Sequence, residues 1–143
     1  MEERSVHDNR VLRYEVDASQ RRLVFDTVYE DGGADERTTI TFSEVVAYGV
    51  TGDDFRTILF GLEECDPADI LERHRDLFER GRQYNWPGNW NRSDETALTH
   101  LRENGVRGFE LDSSCGLDAW VLAKAVTVEP TPESRGGHPP GAG

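Results

Sequence analysis

Lysine is almost missing from this chain. Lys124 is the only one beside 15 arginines, and 28 acids stand against 16 cations for a net charge of −12. A field of that sign repels nucleic-acid phosphates and anionic membrane surfaces, and it steers a basic partner inward. Nucleic acid and membrane are therefore not expected as partners, whereas a basic protein is. Cysteine is nearly as scarce. Cys65 and Cys115 are fifty positions apart and form no CxxC; two reduced thiols are the default, with a structural disulfide as the alternative. No apolar run approaches the ~18 residues of a membrane span. No basic and apolar leader precedes a small-residue cleavage site, so the expected compartment is the cytoplasm.

Catalytic signatures are lacking too. The chain has no P-loop, GxGxxG, HExxH or GxSxG. His7, His74, His100 and His138 show no metal-ligand spacing with one another or with cysteine, and neighbours such as His7 and Asp8 more often point apart than chelate. No metal, no cofactor and no enzymatic activity are expected.

What remains is a pattern of short alternating runs. Leu12, Tyr14 and Val16 alternate with Arg13, Glu15 and Asp17; after a turn at 18–22, Leu23, Phe25, Thr27 and Tyr29 resume the period. Two such runs with a short polar link predict an antiparallel hairpin. Asp31-Gly32-Gly33 breaks it, and strands are predicted over 38–42, 45–50 and 56–62. At Asp66 the texture changes. Asp66 as N-cap, Pro67 in the first turn and the stripe Ile70, Leu71, His74, Leu77, Phe78 predict a helix ending at Gly81. Ser93 or Asp94 caps a second helix ending at Asn104-Gly105. Strands follow over 106–112 and 120–128, the latter apolar enough for coverage on both faces.

The expected fold is α+β: a mainly antiparallel sheet of about five to seven strands with two helices packed on one side, in a single domain over 1–129. The stretch 130–143, rich in proline and glycine, offers nothing to bury and is expected to be a disordered, dispensable tail.

Within this frame the segment YNWPGNWNR stands out, with Tyr84, Trp86 and Trp90 within seven residues. Tryptophan and tyrosine bury large area at little entropic cost, so they serve as binding anchors or as lids on a small core. As a binding surface the loop would supply Tyr84, Trp86 and Trp90 as anchors and Asp94 and Glu95 as steering acids, with Asp53 and Asp54 as further candidates. Cys115, in SSCG, is the best nucleophile candidate, with His100 as a base if the fold brings it near; otherwise it is a small hydrophobe in a turn.

The order VHDNRVLRYEVDASQRRLVFDT, then TITFSEVVAYGV, then FELDSSCGLDAWVLAKAVTV resembles small, uncharacterised bacterial proteins of the YxiG-like, immunity-type group. The likeness covers roughly residues 5 to 128. Members stand beside polymorphic toxins and are taken to neutralise them, so the resemblance implies a cytoplasmic, non-enzymatic immunity protein acting by protein–protein interaction. It carries no catalytic residues. The alternatives are a structural or small-ligand-binding domain, or an enzyme with a site near Cys115.

Overall fold

Alternation with short links produces a meander, and the meander closes on itself. A computed structural model describes residues 5–30 and 32–132. Six strands occur: β1 (Arg10–Asp17), β2 (Arg22–Tyr29), β3 (Glu36–Thr51), β4 (Ile58–Cys65), β5 (Arg107–Cys115) and β6 (Asp118–Pro130). They form a closed barrel in the order β1-β2-β3-β6-β5-β4, with every neighbouring pair antiparallel. The seam between β4 and β1 is brief. One register pair, Arg10 with Ile58, is flanked by bonds from Asp8 N–H to Leu59 O (2.9 Å), Leu59 N–H to Asn9 O (2.8 Å) and Val11 N–H to Thr57 O (3.0 Å). This is an α+β fold: a six-stranded antiparallel sheet with three helices.

The segments 38–42 and 45–50 are one strand rather than two. Glu44 adopts φ 52°, and the pairing with β6 skips a residue between Val45 and Ala47, so β3 bends without ending. A bulge of this kind adds twist, which closure of a sheet requires. The unbroken partner β6 carries β3 across the bend.

β6 is covered on both faces, as its apolar run implies. Ala119, Val121 and Ala123 point into the barrel with Phe25, Ile40, Phe42, Leu59, Phe109 and Leu111. Trp120 and Leu122 point outward and form a second core with Ala47, Ile70, Phe78, Leu101 and Val106. One end of the barrel interior is polar and satisfied internally: Asn9 Nδ2 donates to Thr27 Oγ1 (2.9 Å), which donates to Thr38 O (2.8 Å).

The second core is roofed by α1 (Pro67–Arg73), α2 (Arg75–Gly81) and α3 (Asp94–Glu103), all inserted between β4 and β5. Asp66 caps α1 through its side chain to Ala68 N–H, and Ser93 with Thr96 forms a capping box on α3. The continuous stripe expected from 66 to 81 is interrupted at His74 (φ −117°, ψ 35°), which ends α1 and begins α2. There the His74 ring stacks on Trp120 at 5.1 Å between centroids, and burial holds its imidazole below the usual histidine range. Packing against a flat indole overrides the local helical preference.

β6 runs to Pro130, and Thr131 continues the contact: its N–H donates to Arg37 O (3.1 Å) and its hydroxyl meets that of Thr39 (2.8 Å). The rest of the expected tail, 133–143, lies outside the described residues. No helix among the described residues is long and apolar enough to cross a membrane.

Candidate functional site

The aromatic loop leads out of α2 through a 3-10 turn, Arg82–Tyr84, to Asn85 in the left-handed region (φ 58°) and the cis peptide Trp86–Pro87. Its two tryptophans are engaged within the protein. Trp86 lies 5.4 Å from the Phe78 ring and covers Gly81, where a Cβ would stand 2.6 Å from its ring. Trp90 stacks flat on His100 at 5.2 Å, and both indoles flank the second core. Tyr84 is the loop's freely exposed ring, at 76%.

Asn91, only 2% exposed, holds the loop from beneath. Its amide donates to Phe78 O (2.8 Å) and Trp86 O (2.9 Å), and its oxygen accepts from Arg82 Nε (3.2 Å). Asp94 opens α3 and is clamped by Arg82 and Arg75, each at 2.6 Å, which holds its carboxyl below the usual range. Arg75 also pairs with Glu72. Glu95, one residue on, is exposed and makes no ion pair among the described residues. Of the five loop candidates, then, Tyr84 and Glu95 face solvent unengaged, while Trp86, Trp90 and Asp94 have internal partners.

A different loop presents an aromatic without support. Phe55, in the link 52–57 between β3 and β4, is 97% exposed and adopts φ 71°. For a bulky side chain that conformation is strained by about 1–3 kcal/mol. Its neighbours hold it there. Tyr14 donates its hydroxyl to Asp53 (2.8 Å), Asp54 accepts from Arg56 N–H (3.0 Å), and Thr57 Oγ1 accepts from Leu117 N–H (2.9 Å). Gly52 (φ 75°) lies against the β5–β6 turn, where a Cβ would stand 2.7 Å from Gly116 O. Phe60, 59% exposed, follows on β4, pushed out of the strand alternation by two register shifts at Leu59. It touches His7 (5.3 Å between rings). His7 and Asp8, expected to point apart, meet at 3.1 Å because Asp8 adopts φ 69°.

Beside these rings the outer face of β4 and β5 is acidic. Glu63 lies opposite Glu110 in the register, an arrangement that costs stability unless cations intervene. Arg73 binds Glu110 at 2.8 Å. Asp112, opposite Gly61, has no such partner among the described residues; burial first, and then Glu110, Asp118 and Glu63, push its carboxyl above the usual range. The sign follows directly. An acid with a raised folded pKa lowers stability once ionised, and the penalty disappears as pH falls below its unfolded value. Asp112→Asn is therefore expected to melt at a higher temperature than the parent at pH 7, with the gap closing by about pH 4. Equal melting temperatures at pH 7 would show that ionised Asp112 carries no penalty in the folded protein.

Cys115 and His100, weighed as nucleophile and base, have separate partners: the thiol donates to Arg56 O (3.3 Å) and the imidazole is stacked on Trp90. Both cysteines are free, and burial raises the pKa of Cys65. No group of three metal-ligating side chains occurs among the described residues.

Family models, curated proteins and solved structures all return no match to this chain.

Phe55 and Phe60 escaped the sequence reading for different reasons. Phe55 sits between Asp-Asp and Arg outside any periodic run, a signal that was available. Phe60 sits in ILFGL, where plain alternation puts it on one face with Ile58 and Leu62; only the register shifts separate it from them.

Proposed function

We propose that this protein is a non-enzymatic binding module that captures a basic protein partner, in the manner of an immunity protein masking a toxin domain. The observation that carries this reading is the hydrogen-bonded loop presenting Phe55 at full exposure next to Asp53 and Asp54 and leading into β4, whose outer face with β5 is acidic. The hydrogen bonds of its neighbours hold the Phe55 backbone, so docking has little backbone entropy to remove there, which suits an anchor. The surrounding acids steer a cationic surface toward it, with rates that fall as salt rises. Phe60 and Tyr84 extend the set of exposed rings, and Glu95 adds an unpaired acid.

The experiment is a kinetic binding measurement against basic proteins encoded beside this chain's gene. A tight complex is expected. Phe55→Ala should cost about 2 kcal/mol or more of affinity, mostly through faster dissociation. Asp54→Asn together with Glu63→Gln should chiefly slow association and flatten its salt dependence. Absence of any complex rejects the reading, and a complex indifferent to all three changes moves the interface elsewhere.

A further inference from the structure

The β1–β2 turn, the bend of β3 and the aromatic loop border a cleft of about 300 Å³. Its apolar lining includes Leu23, Val45 and Tyr48 from the barrel and Trp86-Pro87 from the loop. Arg21 and Arg22 line it from the turn. The cleft is thus bordered by apolar surface, by two cations and by one acid, Asp17, in a chain whose net charge is −12.

The two cations differ in their partners. Arg22 is shared with Asp17, at 3.6 Å. Arg21 forms no ion pair among the described residues; its backbone is fixed by a bond from Val45 N–H to its carbonyl (2.9 Å) at φ 54°. The Tyr48 hydroxyl likewise makes no hydrogen bond among the described residues, and Tyr48 is exposed, at 37%. An open guanidinium, an open hydroxyl and an apolar trough are the parts of a small-ligand site, and a volume near 300 Å³ lies at the lower end for such sites. Guanidinium groups prefer carboxylates, which they engage through two parallel hydrogen bonds.

We infer that this cleft binds a small amphipathic carboxylate, with the acyl or aryl body laid between Trp86 and Tyr48 and the carboxylate at Arg21. The site is separate from the acidic face and stands or falls independently of the partner reading. A polar metabolite without an apolar body does not fit this combination, and Asp17, the one acid in the lining, is already paired with Arg22.

Sodium octanoate tests it, with backbone amide shifts as the readout and octanol and octylammonium as comparisons. Octanoate is expected to saturate at one site with a dissociation constant of about 1 mM or below. The largest shifts should fall at 16–23, 45–48 and 86–88. Octylammonium should not saturate. Arg21→Gln should weaken octanoate about tenfold, as loss of a charged hydrogen bond does, while leaving octanol unchanged. Arg21→Met makes the same comparison should the first variant misfold. Shifts centred elsewhere, octylammonium binding as well as octanoate, or octanoate affinity untouched by the arginine changes would each overturn the inference.

Discussion

Replacing Trp120 with alanine is expected to destabilise the protein by about 3–5 kcal/mol, as truncation of a buried aromatic does when its site cannot collapse. Trp120 is 5% exposed and is the meeting point of sheet and helices. It stacks on His74 and lies 5.5 Å from the Phe78 ring. Directly across the β3–β6 register stands Gly49, where any Cβ would overlap the indole. The two positions are therefore coupled. Gly49→Ala alone should cost about 1–3 kcal/mol through overpacking. In the Trp120→Ala background the same change should become neutral or favourable, because the obstruction is gone and alanine suits a strand better than glycine. Urea denaturation of the parent, both single variants and the double variant measures the coupling. Simple additivity would show that Gly49 is small for some other reason.

The second large effect is expected at Asn91. Asn91→Asp keeps the shape and removes both donors, setting an acid against the carbonyls of Phe78 and Trp86. A buried carbonyl pair without its donor, plus a carboxylate with little water, should cost about 3 kcal/mol, with Arg82 offsetting only part of it. Asn91→Ala should cost less, since it leaves the carbonyls unpaired but adds no charge. The aspartate's penalty belongs to its ionised form, so its folded pKa is raised and the deficit should shrink as pH falls. Unfolding curves at pH 7 and about pH 5 check this, with tryptophan emission reporting whether Trp86 and Trp90 loosen. An aspartate variant within about 1 kcal/mol of the parent at pH 7 would mean that the loop is held by its rings alone.

Asn91 also shows where local reading stops. In the sequence it is one polar residue between Trp90 and Arg92, and nothing marks it as the buried post under the loop. Its role arises because α2 and the loop return to the same place, which is a tertiary fact. Trp86 and Trp90 were legible as lid or anchor but not as one of the two, since an aromatic's chemistry is the same in either setting. The contact of Trp86 with Gly81 and Phe78, and the stack of Trp90 on His100, give both rings internal partners. Asp94 reads as a first-turn acid, and Arg75 and Arg82 then neutralise it from another element.

Sequence by itself determined the α+β class, the mainly antiparallel order, the cap at Asp66, a cap at Ser93 or Asp94, and the double burial of the last strand. These follow from residue spacing, capping side chains and short links, all of which act between near neighbours in the chain. Closure of the sheet into a barrel, the fusion of two expected strands through the bend at Glu44, and the break of the first helix at His74 were decided only by the tertiary structure. So were the exposure of Phe55 and Phe60 and the cleft between Arg21 and Trp86. Each depends on groups far apart in sequence meeting in space, and the energy of such meetings comes from shape and burial that no local pattern encodes.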